Sequence, residues 1–409
     1  MTDRYKFLAV ADQIGTQLAR EAIWDGKRCN WIGSDMEIIS GRWVSTATSF
    51  GPNLYSGTAG IAVFLGHLYR CTGERIFRVI AEGAIEQARS LTFELKSSSR
   101  LGFYAGTAGI SWCLRELSQI CDRPDWYDES LHLLRTIPQE TNPWDIDVMS
   151  GLAGAAMGLL MVDCTDSAMV ELAVDLGRKI LAVANRHEFG WSWTTTSHEA
   201  ASRDLTGLSH GAAGIALVLL ELGMVTKESS FVAAAELGFD YEDHWFDPDK
   251  GNWPDFRTNT GAYDTAWCHG APGIGLSRLR AYQITQKQKY RLSAEAAIAT
   301  THRWASASRV DLENYSLCHG LSGNADLFLC ADQVFREEKY RTLAEQIGQR
   351  GLEKYASMGI PWLCGIQGGG ETPGLMLGLA GIGHFYLRLF DSDKIETVLW
   401  PGRFRHPIA

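Results

Sequence analysis

The sequence predicts an all-α protein assembled from seven copies of one unit, an outer helix followed by an inner helix. Three observations predict it. A Gly-x-x-Gly pair occurs seven times, its first glycines standing 49, 45, 60, 59, 50 and 58 residues apart, and self-similarity at such a period marks a repeat architecture. The segment after each pair is apolar on nearly every face, as in GAAGIALVLLELG from Gly211, and a helix apolar all round is buried all round. The segments between the pairs mix charged and aliphatic residues at helical spacing, the pattern of a surface helix with one apolar stripe.

In chain order, residues 1–56 supply the first outer helix and a lead-in to the pair Gly57 and Gly60. The stretch 81–96 reads as the next outer helix, before Gly106 and Gly109. The third pair, Gly151 and Gly154, is preceded by the acid-bearing DIDVMS. An outer helix over 167–186 follows, then a Trp- and Thr-rich stretch over 190–198 that reads as loop or short strand, then Gly211 and Gly214. Gly270 and Gly273, Gly320 and Gly323, and Gly378 and Gly381 complete the series, with an outer helix over 340–357 before the last. The first glycine of each pair is expected to take a positive φ at a sharp turn, and the second to let neighbouring inner helices approach closely. Helix N-termini offer unpaired amides and a positive dipole end, so seven of them at one end of a ring would build a shared site. Stacked linearly, the repeats would give an open solenoid instead.

A chain of 409 residues exceeds the usual single-core size, but a repeat ring makes residues 1–409 one domain. The net charge of −10 argues against nucleic acid or an anionic membrane as partner. The N-terminal stretch has no apolar run of signal-peptide type, and no apolar stretch is long enough to span a bilayer, so a soluble, cytoplasmic protein without membrane insertion is expected. Nine scattered cysteines make a poor disulfide framework, and most, Cys330 and Cys364 among them, read as reduced apolar helix residues.

The turns differ in what precedes the glycine. The fifth carries Cys268 and His269, the sixth Cys318 and His319, the fourth His210, and the third Asp147 with Asp145 as a rival. If the turns meet, two thiols, up to three imidazoles and an acid converge. Two thiolates and one imidazole suit a catalytic zinc with an open fourth position. A structural zinc would want four closed ligands, usually with Cys-x-x-Cys spacing, which is absent from the sequence.

The wording AWCHGAPGIGLSRL, LCHGLSGNADLFL and TPGLMLGLAGIGHFYLRL resembles the lanthionine synthetase C-like (LanC-like) cyclases, especially the cyclase half of class II lanthipeptide synthetases. The likeness covers essentially the whole length. It implies an α/α toroid (double α-barrel) of seven inner and seven outer helices, one Zn2+ held by Cys268, Cys318 and His319, His210 as acid or base, and Asp147 as its partner. Many stand-alone members carry an Arg where this chain has Asp264, a role then left to Arg257 or Arg203. The spacing leaves no room for an N-terminal dehydratase or an inserted β domain, so the expectation is either a free-standing cyclase that works with a separate dehydratase or a cyclase domain on its own.

The reaction implied is thioether formation, in which a peptide Cys thiolate adds to dehydroalanine or dehydrobutyrine to give lanthionine or methyllanthionine. The substrate would be a dehydrated precursor peptide. A thiol of pKa about 8.5 needs help to ionise, and the enolate formed needs a proton at Cα, for which His210 is the candidate and His269 the reserve. Trp191, Trp193, Trp253 and Trp267 are placed to line a peptide-sized mouth. Two other readings use the same residues, addition of glutathione to dehydroamino acids in proteins and a zinc-stabilised peptide-binding module without catalysis. A glycosidase would need paired carboxylates across the mouth, and Asp145 and Asp147 stand too close in sequence for that.

Overall fold

The computed structural model describes residues 4–39, 42–97, 99–137, 145–195, 203–257, 261–307 and 314–401. They form an α/α toroid of fourteen helices. The seven inner helices are α2 (Thr58–Thr72), α4 (Thr107–Ile120), α6 (Leu152–Asp163), α8 (Ala212–Thr226), α10 (Ala271–Thr285), α12 (Leu321–Phe335) and α14 (Leu379–Asp391). Each touches the next, and α14 touches α2, which closes the ring. The outer helices are α1 (Tyr5–Glu21), α3 (Arg75–Ser90), α5 (Pro124–Arg135), α7 (Ser167–Ala182), α9 (Ser229–His244), α11 (Gln288–Ala307) and α13 (Glu338–Gly351). Among the described residues no helix is long and apolar enough to cross a membrane.

Burial follows the composition of each helix. In α8 every residue from Ala212 to Gly223 is buried, whereas α3 buries only the stripe Phe77, Ile80, Ala81, Ala84, Ile85 and Ala88 with Gly83. Each inner helix packs on the outer helix that follows it, and α14 packs on α1. The spatial unit is therefore inner then outer, the reverse of the order read from sequence, with the first outer helix paired to the last inner one. Tyr5 meets Phe390 with ring centroids 5.5 Å apart, and Phe7 meets Tyr386 at 6.1 Å.

The glycine turns are tighter than the sequence suggested, and for a different reason. Six of the first glycines have negative φ, from −86° at Gly57 to −136° at Gly378, and only Gly270 is positive, at 93°. What excludes a side chain is space. A Cβ on the second glycine of any repeat would meet the carbonyl oxygen six residues earlier, at 1.8 Å for Gly109 on Phe103 and for Gly381 on Leu375, and at 2.0 Å for Gly273 on Trp267. The preceding repeat stands close behind, with Leu208 Cβ 2.8 Å from that same position on Gly273. Nor are the helix N-termini unpaired. In six turns the first helical amide donates to the carbonyl seven residues back, as Thr58 does to Gly51 (2.9 Å) and Leu379 to Thr372 (2.7 Å).

The turns are also joined to one another. The residue two places before each first glycine takes part in a closed circle of backbone hydrogen bonds. Tyr55 N–H donates to Tyr104 (3.0 Å), Tyr104 to Met149 (3.2 Å), Met149 to Ser209 (3.2 Å) and Ser209 to Cys268 (3.4 Å). Trp267 N–H then donates to Cys318 (2.9 Å), Cys318 to Met376 (2.9 Å) and Met376 back to Tyr55 (2.8 Å). The register slips by one residue only at Trp267.

The remaining elements are three two-stranded antiparallel sheets: β1 (Ile23–Asp25) with β2 (Arg28–Asn30), β3 (Ile32–Ile39) with β4 (Arg42–Ser49), and β5 (Asn185–His187) with β6 (Gly190–Ser192). The lead-in to the first turn is thus two hairpins, which the helical reading of 1–56 did not include. Asn30 pins the base of the longer one, donating to Phe50 O (3.0 Å) and accepting from Phe50 N (3.3 Å). The β6 strand settles the start of 190–198, and 196–198 lie outside the described residues.

Gly381→Ala should place its methyl against the Leu375 carbonyl, which is fixed backbone, and lose about 2 kcal/mol or more, although Ala normally stabilises a helix interior over Gly. Gly51→Ala, with nothing within 4 Å of its Cβ position, should stay within about 0.5 kcal/mol of the parent. Equal melting temperatures for the two variants would contradict this account.

Candidate functional site

The circle of turns brings Cys268 and Cys318 to equivalent places in adjacent repeats. The two thiols shift one another's ionisation in opposite directions. Interaction with the Cys318 side chain holds the Cys268 thiol below its usual pKa against the opposing effect of burial, with the Arg257 and His210 charges adding to it. The Cys318 thiol is pushed well up, by its interaction with Cys268 and then by burial. Tyr55 stands at the equivalent place in the first repeat, and its side chain counters the rise at Cys318.

The place immediately before the first glycine holds His210, His269 and His319 in the fourth, fifth and sixth repeats. Their surroundings separate them. His210 Nδ1 is hydrogen-bonded to Asp147 Oδ2, and the other oxygen of Asp147 accepts from Ser150 N–H at 2.7 Å. Burial opposes a charge on His210, but fully buried Asp147 overcomes it, and the His210 pKa is raised. Asp145 instead accepts from its own neighbour, Ile146 N–H (2.8 Å), so Asp147 is the acid that meets His210. His269 stacks on His210 with centroids 5.8 Å apart. Burial, then Arg257 and His210, drive its pKa well down, so it is neutral, and its buried Nε2 has no hydrogen-bond partner among the described residues. His319 points Nε2 at the Gly365 carbonyl, 2.9 Å away, and burial lowers its pKa.

Arg257 stands at the rim, about 29% exposed, held by Asp255 (2.5 Å) and Asp264 (2.9 Å). Asp264, where the family resemblance led one to look for an Arg, thus holds an Arg from elsewhere in the chain. Arg203 stacks on Trp245 at 4.3 Å and does not join the cluster. Of the four tryptophans assigned to a mouth, Trp193, Trp253 and Trp267 are fully buried core residues, and Trp191 is half-buried beneath Arg186 at 4.7 Å. Their loop positions in sequence concealed that the turns fold back into the ring.

Among the described residues no three His, Cys, Asp or Glu side chains stand together as a ready metal-ligand set. The donor chemistry nonetheless fits zinc. Two thiols from adjacent turns face one another closely enough to shift each other's ionisation, and the ring nitrogen of His319 not facing Gly365 is the one left for a metal, with a carbonyl fixing the other as metal-ligating histidines usually require. Tyr55 was missed by sequence reasoning. The signal was available, since Tyr55 stands two places before Gly57 as Cys268 and Cys318 stand before their glycines.

A family model described as lanthionine synthetase C-like protein matches residues 48–404, and the chain belongs to that family. It is similar to the lacticin 481/lactococcin biosynthesis protein LcnDR2 of Lactococcus lactis subsp. lactis, 21% identical over 370 residues, 85% of this chain and 37% of that protein. It is similar to the nisin biosynthesis protein NisC of the same organism, 23% identical over 77% of this chain and 83% of NisC. It is also similar to the glutathione S-transferase LANCL1 of Danio rerio, 22% identical over 70% of this chain and 71% of that one. Among solved structures, nisin cyclase superposes with a TM-score of 0.65 at 18% identity, over 83% of this chain and 89% of that one. A family 76 glycoside hydrolase superposes at 0.52 and 10% identity over 94% of this chain and 77% of that one, which reflects the shared toroid.

The turn bearing His210 has its own support. Glu242, from α9, accepts from Gly207 N–H and Ala213 N–H at 2.9 Å each. Burial raises its pKa from 4.5 to about 7. Across that interval the folded chain keeps a proton that the unfolded chain has released. The stability this group contributes is therefore fully present below its ordinary pKa and lost as pH rises through about 7. Glu242→Gln keeps an acceptor and removes the titration. Its unfolding free energy should gain on the parent by about 2 kcal/mol between mildly acidic and mildly alkaline solution. A pH-independent difference in urea unfolding would refute the assignment.

Proposed function

We propose that this protein is a zinc-dependent lanthipeptide cyclase. The observation that carries the reading is the joining of the Cys268 and Cys318 turns, Trp267 N–H donating to the Cys318 carbonyl at 2.9 Å, beside the His210–Asp147 pair, in a chain of the lanthionine synthetase C-like family. Cys268, Cys318 and His319 would hold the metal. When bound, zinc would favour the thiolate of a substrate cysteine at neutral pH.

The reaction forms one S–Cβ bond and moves the thiol proton to Cα, with no leaving group and no change in net oxidation state. His210 is suited to deliver that proton. Its Nδ1 is engaged by Asp147, which fixes the ring and stabilises its charged form. His269, neutral and stacked on it, leaves the charge to His210. Arg257 presents a cation at the rim for the carbonyl oxygen on which enolate charge develops. The substrate would be a dehydrated precursor peptide supplied by a separate dehydratase. The similarity to LANCL1 supports a second reading, in which glutathione brings the thiol and the adduct is intermolecular.

In Cys318→Ala, bound zinc and ring closure on a dehydrated peptide should both be lost, and full retention of both would end the proposal. In His210→Asn, zinc should be retained while closure slows at least about tenfold. Asp147→Asn should lower the His210 pKa, so the alkaline fall in rate moves to lower pH. Incubating the dehydrated peptide with and without glutathione separates the two readings by product mass.

A further inference from the structure

Residues 395–400 follow α14 and do not lie on the surface. Ile395, Val398 and Leu399 are at most 1% exposed. The segment is held from several sides of the ring. The Ile395 carbonyl accepts from Arg388 of α14 at 2.7 Å, and the Thr397 hydroxyl is bonded to Asp326 of α12. Asp326 and Arg388 are themselves a buried ion pair. At the other end, the Leu399 carbonyl accepts from Trp267 Nε1 (2.9 Å) and from Tyr104 Oη (2.9 Å), and the same hydroxyl lies 3.0 Å from the Val398 carbonyl. Tyr104 belongs to the second repeat and Trp267 to the fifth. A segment that touches far-separated members of a ring lies on its axis, so the central hole is filled by the chain's own C-terminal stretch.

That stretch ends against the residue that precedes Cys268. Trp267 donates its backbone N–H to the Cys318 carbonyl (2.9 Å), its indole N–H to Leu399, and packs edge-on against Tyr104 at 4.7 Å. Its side chain is completely buried. One residue therefore ties the two cysteine turns to the axial segment. We propose that residues 395–400 are the floor of the site, and that the Leu399 carbonyl, acting through Trp267 and Tyr104, is a positioning group that holds the Cys268 and Cys318 turns together. The proposal rests on reading those two cysteines as the reactive pair.

The test measures each cysteine separately. Trp267→Phe keeps an aromatic ring and removes the indole N–H, and a chain ending after Lys394 removes the acceptor. In metal-free protein, iodoacetamide alkylation followed residue by residue by mass spectrometry should quicken at Cys268 and Cys318 by at least about fivefold in both, since thiol reactivity follows access and ionisation. Buried Cys113 on α4 should keep its rate, and helical content should be preserved in Trp267→Phe. If the shortened chain fails to fold, Trp267→Phe decides alone. Unchanged rates at both site cysteines, or a matching rise at Cys113, would overturn the proposal. Because no peptide and no metal enter this measurement, it stands apart from whether the protein closes thioether rings. With a dehydrated peptide, Trp267→Phe should also slow closure.

Discussion

The circle of seven backbone hydrogen bonds between successive turns is the constraint on which the rest of the structure depends. Helix packing alone brings seven inner helices together, but packing tolerates rotation and sliding of a few tenths of an ångström to more than an ångström. A directional bond from each turn to the next removes that freedom where the reactive side chains leave the backbone. The bonds run through equivalent residues except at Trp267, which takes the place of Cys268 as donor to Cys318. The Tyr55, Cys268 and Cys318 turns are joined into one circle for that reason although the residues are separated by 50 positions or more in the chain. The paired glycines serve the same end, since any side chain there would push the turn's own carbonyl out of place.

Much of this was legible in the sequence because a repeat protein writes its geometry many times. The seven glycine pairs located every inner helix, and the residues before them located Cys268, Cys318, His319, His210 and Asp147. The ring, as against an open stack, came from family resemblance. Other features were hidden for physical reasons. The negative φ of six first glycines cannot be told from a positive one by residue type, since Gly permits both. The hairpin over residues 32–49 lies in a stretch with no repeat to compare it with. Trp193, Trp253 and Trp267 sit in loops, which usually cover the surface, yet here the loops turn inward and bury them. The axial path of residues 395–400 was invisible because its hydrogen bonds join a backbone carbonyl to partners more than 130 and almost 300 positions away.

His210, His269 and His319 show how one slot in a repeated frame is given different chemistry. The slot is the same, although the fifth turn has a glycine of positive φ where the fourth and sixth do not, and the chemistry differs by what each ring meets. A buried carboxylate makes His210 the ring that carries charge. Burial next to Arg257 and His210 keeps His269 neutral. A carbonyl partner settles which nitrogen of His319 bears the proton. Arg257 in turn is held at the rim by Asp255 and Asp264, so the site combines fixed positive charge at its mouth with thiols beneath it.

The pairing of α1 with α14 has a consequence for how the molecule is made. A ribosome makes α1 before the twelve helices that separate it from α14, so the outer partner waits through the synthesis of all of them for the surface it covers. Until then α2 has no neighbour on one flank, and Tyr55 and Cys318 both lack the Met376 backbone that links them. The seam of the ring is sealed only once α14 has been made, and a product cut short before it would carry both cysteines without the frame that joins their turns to the first.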